Sequence, residues 1–219
     1  MPLQNRVKPT QEIVADPARG MLMGNRGSIH RPDRTLGVTR WRSKMWISCV
    51  LNLGGRRRDV MPPGRWTALF FLDEATALAA GHRPCGYCRR ADHAWFGESW
   101  RVARAMTSRP RAFEMDVWLH AERVDRRTRR QLTHQAVAGD LPDGVMISHR
   151  GSIGLWSGGA LLPWSFAGYG APARLGPGTR VETLTPPSIV AAIGAGYRPM
   201  VHPSAGPASL RPIPPEILL

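Results

Sequence analysis

The stretch 81-GHRPCGYCRR-90 places Cys85 and Cys88 at Cys-x-x-Cys spacing, directly after the helix-forming run 72-LDEATALAA-80. The chain has one further cysteine, Cys49. A redox pair of this spacing follows a strand and opens a helix in a βαβ unit, and buried structural thiols are another interpretation. Two thiolates at this spacing can also bind one zinc ion from a tight turn. Zinc is favoured, because the adjacent arginines and the N-terminus of the next helix stabilise thiolates.

The segments around this pair show helix and strand patterns. The runs 45–53 and 66–72 are rich in strand-forming residues, and 54-GGRRRDVMPPG-64 between them predicts a hairpin with a basic loop. Asp73 is the expected cap of a short helix over 74–80 that ends at Gly81, and a longer helix follows over 90–106. Beyond Pro110 the sequence predicts a helix over 117–132, then short strands within 141–166 and 180–184.

These elements predict an α+β protein, in which a zinc-knuckle module built from a hairpin and helices precedes a mixed, β-rich C-terminal part. Four segments are expected: an irregular N-terminal arm over 1–19, a zinc-binding module over 20–108, an α+β part over 109–205, and a Pro-rich tail over 206–219. The glycines of 20-GMLMGNRGSIH-30 predict tight turns at the start of the module.

The overall charge is strongly positive. The 219 residues include 30 Lys and Arg against 16 Asp and Glu, a formal net charge of +14. Such an excess is typical of proteins that bind a polyanion, most often nucleic acid. The sequence has no apolar run long enough to span a bilayer and no apolar signal-peptide core, so a cytoplasmic protein is expected. Three cysteines are too few for a disulfide framework, which agrees with a reducing compartment.

The run 72-LDEATALAAGHRPCGYCRR-90 resembles the second zinc knuckle of the Ada metal-binding domain. The resemblance covers roughly residues 65–90, and the residues that match are Ala79, Ala80, Gly81, Arg83, Pro84, Cys85 and Cys88. It implies an Ada-like zinc module, DNA binding and a role in DNA repair. Nothing after residue 106 resembles Ada, and the chain as a whole is similar to an uncharacterised bacterial family that implies no activity.

The sequence departs from the Ada pattern in its upstream cysteines. Ada has four cysteines, the first two at Cys-x-x-x-Cys spacing, whereas this chain has only Cys49 before Cys85. Methyl transfer is therefore not carried over from the resemblance, and Cys49 as a zinc-activated nucleophile stays an alternative interpretation. The expected zinc ligands are Cys49, Cys85, Cys88 and a histidine, for which His30 is preferred to His82 and then His93.

The expected contacts to DNA are arginines. Arg56, Arg57 and Arg58 lie on the predicted hairpin loop, and Arg89, Arg90 and Arg123 occur beside the cysteine pair and in the third predicted helix. Arginine binds phosphate, and the tryptophans interleaved with these arginines can stack on unpaired bases where they are not part of the core.

One acid–base pair is found in 116-DVWLHAER-123. Asp116 and His120 are four residues apart on one helical face, and Arg123 lies one turn further on. The group is a candidate for catalysis with a phosphate-binding arginine, or a surface salt-bridge cluster. The sequence therefore favours a zinc-containing DNA-binding protein of DNA repair or modification. The alternatives are a DNA glycosylase or nuclease with a structural zinc, and a zinc-containing module that binds protein.

Overall fold

The computed structural model describes residues 1–53 and 59–206 and confirms the α+β class. The first sheet contains β1 (Gln4–Val7), β2 (Ile13–Ala15), β3 (Leu22–Asn25), β4 (Ile47–Val50), β5 (Leu69–Phe71) and β6 (Arg83–Pro84). The second contains β7 (His134–Val137), β8 (Met146–His149), β9 (Ser152–Ser157), β10 (Ala160–Ser165), β11 (Gly168–Tyr169), β12 (Ala173–Arg174) and β13 (Arg180–Thr183). The α-helices are α1 (Glu74–Ala79), α2 (Arg90–Ala103), α3 (Ala112–Arg123) and α4 (Pro187–Gly194). Short 3-10 helices span Ala138–Asp140 and Pro203–Ala205.

The first sheet is mixed and the second is antiparallel. In the first sheet the strand order is β2-β1-β5-β3-β4-β6, and the pairs β1–β5 and β4–β6 are parallel. In the second sheet the order is β11-β10-β9-β8-β13-β7, and β12 pairs with β10. The predicted β-rich C-terminal part is confirmed.

The prediction that 45–53 and 66–72 form a hairpin is wrong. Its two strands exist as β4 and β5, but β3 lies between them and pairs with both. A Cβ on Gly24 of β3 would lie 2.1 Å from the carbonyl oxygen of Ile47 and 3.0 Å from the ring of Phe71. The glycine that suggested a turn is instead a strand residue that lets its neighbours approach closely.

The N-terminal segment 1–19 is not an irregular arm. Its strands β1 and β2 pair with each other, and β1 also joins β5 in the middle of the first sheet. Strands of only three or four residues are too short to show an alternating pattern, which is why the sequence did not reveal them.

Helix α3 ends earlier than predicted. Val124 is extended, and the Asp125 carboxylate accepts hydrogen bonds from the amides of Arg127 and Thr128 at 2.8 and 2.7 Å. This local turn competes with the helix and stops it before the arginine-dense segment. The cap of α1 is confirmed, because the amide of Thr76 donates to Asp73 at 2.8 Å.

The two faces of the first sheet differ. Its inner face is part of a buried cluster that includes Val7, Leu22, Leu69, Phe71 and Val50. The outer face carries a row of residues that lie opposite one another on successive strands, in the order Arg6, Phe70, Met23 and Cys49. Residues opposite one another across a sheet share a face. The thiol of Cys49 is therefore on the outer face.

A second hydrophobic cluster crosses the boundary predicted near residue 108. Phe96 and Trp100 of α2 share it with Val145, Ile147 and Ile193 from the C-terminal part. No helix among the described residues is long and apolar enough to cross a membrane. The predicted tail, apart from Gly206, lies outside the described residues.

Candidate metal centre

The three cysteines of the chain come together at one edge of the first sheet. Cys49 belongs to β4, whereas Cys85 and Cys88 follow β6. The parallel pairing of Ser48 with Pro84 sets Cys49 beside Cys85, and the Cys85 amide donates to the carbonyl of Ser48 at 2.9 Å. The three Sγ atoms all lie within 4.8 Å of one another. They are close enough to bind one metal ion.

The turn between Cys85 and Cys88 directs backbone amides at sulfur. The amide of Tyr87 donates to Cys85 Sγ at 3.4 Å, and the amide of Val50 hydrogen-bonds to the Cys88 thiol. Hydrogen bonds from Cys49 and Cys88 lower the pKa of Cys85, and the same contact with Cys85 raises the pKa of Cys49. The surroundings therefore favour a thiolate at Cys85, the form of cysteine that binds metals.

No described histidine, aspartate or glutamate joins the three sulfurs. His30 instead lies with Nδ1 2.7 Å from Thr67 Oγ1 and Nε2 3.2 Å from the carbonyl oxygen of Pro62. The structure does not bring His30 to the cysteines. Residues outside the described ranges offer one further metal-binding side chain, Glu216.

The other two candidate histidines also have contacts of their own. His82 is buried and accepts a hydrogen bond from Nε of Arg26 at 3.3 Å. Burial is the main cause that keeps the pKa of His82 well below its usual value. His93 borders the cysteine turn, with Nδ1 3.2 Å from the carbonyl oxygen of Pro84. Three cysteines thus remain the described ligand set, which leaves one tetrahedral position for a further ligand.

Arg89 holds the cysteine turn in place through contacts with three neighbouring elements. Its Nε donates to Asp92 at 2.9 Å, its NH1 donates to Ser48 Oγ at 2.9 Å, and its NH2 lies 2.7 Å from a Glu74 carboxylate oxygen. The side chain of Arg89 is 1% exposed, so DNA does not reach it in this arrangement, whereas Arg90 is exposed. The guanidinium joins α1, β4 and α2 around the cysteines.

Two carboxylates in the run 72-LDEATALAA-80, those of Asp73 and Glu74, accept hydrogen bonds from the C-terminal part of the chain. Glu74 accepts hydrogen bonds from the hydroxyl of Tyr197 at 2.5 Å and the amide of Met200 at 2.9 Å. Asp73 caps α1 and also accepts from the hydroxyl of Tyr169 at 2.6 Å. The part of the sequence that resembles a zinc knuckle therefore ties the cysteine turn to the C-terminal part of the chain.

Gly81 is required where α1 ends. Its φ is +81°, and a Cβ there would lie 2.5 Å from Cδ of Arg123. Arg123 is fully buried, donates to the carbonyls of Gly81 and Lys44 at 2.7 and 2.6 Å, and stacks on Trp46 at 3.9 Å. Arg123 is therefore occupied inside the protein and does not present itself to a phosphate.

Asp116 and His120 do not form an acid–base pair in the structure. Asp116 accepts two hydrogen bonds from Arg83, at 2.9 and 2.7 Å, and both side chains are buried. The ring of His120 packs edge-on against Trp41, and burial is the main cause that lowers its pKa to about 4. In this arrangement Asp116 belongs to a buried ion pair and His120 to a cluster of aromatic rings.

Arg56, Arg57 and Arg58 lie outside the described residues. Sequence reasoning missed a pocket on the outer face of the first sheet, which has a volume of about 950 Å³ and is lined in part by Arg6, Arg19 and Arg65. The alternation of buried and half-buried residues in β1 is the pattern that places Arg6 on this face.

These features define the chain as an α+β protein with a three-cysteine candidate metal centre. No protein-family model matches it, and neither the curated proteins nor the solved structures give a match.

Proposed function

We propose that this is a zinc-containing DNA-binding protein that serves DNA repair or modification. The observation that carries the zinc part of the proposal is the convergence of the three Sγ atoms within 4.8 Å. Zinc–sulfur bonds of about 2.3 Å in a tetrahedral site separate the sulfurs by about 3.8 Å, which fits within that limit. Thiolates are soft ligands that favour zinc over magnesium or calcium. Repair or modification is supported by the resemblance of 72–90 to the Ada knuckle.

An exposed basic surface supports binding to DNA. It consists of cations from the β3–β4 loop and from the turn after α3, namely Arg31, Arg34, Arg40, Arg42, Lys44, Arg126, Arg127, Arg129 and Arg130. The two segments are in contact, because NH1 of Arg129 donates to the carbonyl of Val38 at 3.5 Å. Asp33 and Asp125 are the only acidic residues in the two segments. A surface of this charge density matches the phosphate backbone of a duplex.

The metal is tested by elemental analysis of the purified protein. We expect about one zinc per chain, with zinc lost and thermal stability reduced in Cys85→Ser, because a structural zinc contributes folding free energy directly. His30→Gln is the matched control and should retain zinc, because His30 contacts Thr67 and Pro62. Less than half an equivalent of zinc in the parent protein contradicts the proposal.

DNA binding is tested by titrating a labelled duplex at several salt concentrations. Replacing Arg126, Arg127 and Arg130 with alanine should weaken binding and reduce the slope of log K against log salt by roughly 2 to 3. The triple alanine variant of Arg56, Arg57 and Arg58 tests the basic run predicted from the sequence in the same way.

A control of equal charge replaces Arg150, Arg174 and Arg180, which are exposed in the C-terminal part. This control should bind the duplex within about twofold of the parent protein. If all three variants lose the same affinity, binding reflects net charge alone and the basic surface is not the contact.

Catalysis by a glycosylase or nuclease is not supported at Asp116 and His120. The Asp116 carboxylate is fully occupied by Arg83, and His120 packs against Trp41. The proposed function is therefore DNA binding.

A further inference from the structure

The pocket on the outer face of the first sheet has the size of a small-ligand site. Its volume is about 950 Å³, within the range of roughly 300 to 1,000 Å³ that is usual for such sites. Phe70 and Met23 from neighbouring strands form part of its floor. Asn52, Asp59 and Trp66, from the segment between β4 and β5, also line it.

Cations dominate the charged groups that line the pocket. Among the described lining residues, Arg6, Arg19 and Arg65 are the cations and Asp59 is the one carboxylate. Arg19 and Arg65 are exposed, and neither side chain has a hydrogen bond or ion pair with any residue in the described ranges 1–53 and 59–206. Two exposed guanidinium groups that line one pocket and have no partner among the described residues can bind the oxygens of a phosphate group.

Arg6 is held in place by the protein. Its Nε donates to the carbonyl of Ala18 and its NH1 to the side chain of Asn5, both at 2.5 Å. The guanidinium lies 4.8 Å from the centre of the Phe70 ring. Arg6 is therefore held against Phe70 by the protein's own contacts, and both residues line the pocket.

Trp66 provides an aromatic surface on the same pocket. Its side chain is among the exposed large hydrophobics, at 36% of its full accessibility. An exposed indole next to free arginines is the combination that binds an unpaired nucleotide, because the base stacks while the phosphate pairs with the cations. Asp59 and Asn52 can accept or donate hydrogen bonds at the edge of the base.

We propose that this pocket binds a single unpaired nucleotide of DNA, with its base on Trp66 and its phosphate on Arg19 and Arg65. This proposal rests on the proposed function and adds the form of DNA that is recognised. Phe70, Met23 and Cys49 lie opposite one another on three neighbouring strands, so the pocket residue Phe70 is two strands, roughly 10 Å, from Cys49 of the candidate metal centre.

The test compares a labelled single strand with a fully paired duplex of the same sequence. Trp66→Ala should weaken binding of the single strand about tenfold, which corresponds to the loss of one stacked base, and leave duplex affinity within about twofold. Trp66→Phe keeps a stacking ring and should retain most of the affinity. Trp118→Ala is the control, because Trp118 is 45% exposed on α3 and does not line the pocket.

The phosphate contacts are tested with the Arg19→Ala/Arg65→Ala double variant. It should bind the single strand more weakly than the Arg174→Ala/Arg180→Ala variant, which removes the same charge from the second sheet. Calorimetric titration of the parent protein with deoxythymidine 5′-monophosphate should show binding that inorganic phosphate competes with only weakly.

The results distinguish failure of the nucleotide pocket from failure of the proposed DNA binding. Single-strand binding by Trp66→Ala that equals the parent overturns the pocket while leaving DNA binding intact. Equal competition by inorganic phosphate and the nucleotide also overturns it, since the site would then bind phosphate without a base. If neither DNA form binds the parent protein, the proposed function fails. Deoxythymidine 5′-monophosphate binding that requires Trp66 and Arg65 would still support a nucleotide site.

Discussion

Arg89 and Arg90 are adjacent in the sequence, but their side chains lie in opposite environments. Arg89 is buried among Glu74, Asp92 and Ser48, whereas Arg90 is exposed at the first position of α2. Both were expected to contact DNA, because two adjacent arginines look alike in the sequence. Arg89 is buried because Glu74 of α1 and Ser48 of β4 join the nearby Asp92 as its partners.

Replacing each of these arginines with methionine separates their roles. Arg89→Met should destabilise the protein by about 3 to 5 kcal/mol, because it leaves the carboxylates of Glu74 and Asp92 buried without their cation. It should also release zinc to a chelator more readily, although no metal ligand is changed. Arg90→Met should change stability by less than about 0.5 kcal/mol. Urea unfolding and competition with a chromogenic chelator measure both effects; equal behaviour of the two variants would contradict the anchoring role of Arg89.

At the level of elements, the sequence was enough to predict Cys49, Cys85 and Cys88 as candidate metal ligands. It was not enough to predict the strand pairing that brings them together. Cys-x-x-Cys spacing indicates a metal turn from a few neighbouring residues. The pairing of Cys49 with that turn depends on the parallel contact of β4 and β6, which are separated by β5 and α1 in the chain. A parallel pair of this kind leaves no short-range pattern in the sequence.

Contacts between residues far apart in the sequence also explain why some predictions were wrong. The glycines of 20–30 predicted tight turns before His30, the preferred fourth ligand, but Leu22–Asn25 forms strand β3 instead. Helix α3 and the cap of α1 depend on residues within one or two turns, so their presence could be predicted. Asp116 could not be recognised as a partner of Arg83, since the two are 33 residues apart and meet only where α3 lies next to β6 in the fold.

At the level of the whole molecule, the domain boundary predicted between residues 108 and 109 does not coincide with a break in packing. The cluster that contains Phe96 and Trp100 of α2 also contains Trp156, Ile189 and Ile193. The link from Glu74 to Tyr197 and Met200 crosses the same boundary. A core shared in this way favours cooperative unfolding of both sheets.

Trp100→Ala should therefore destabilise the first and the second sheet together. Trp100 is 2% exposed, and its loss should cost about 3 to 5 kcal/mol through transfer and cavity terms. We expect one unfolding transition in parent and variant, and faster amide exchange in β8 and β9 of the variant as well as in β3 and β5. Val102→Ala on the exposed side of α2, where Val102 is 52% exposed, is the control and should leave exchange in all four strands unchanged. Faster exchange confined to β3 and β5 would instead mean that the two sheets unfold separately, as the boundary predicted at residue 108 requires.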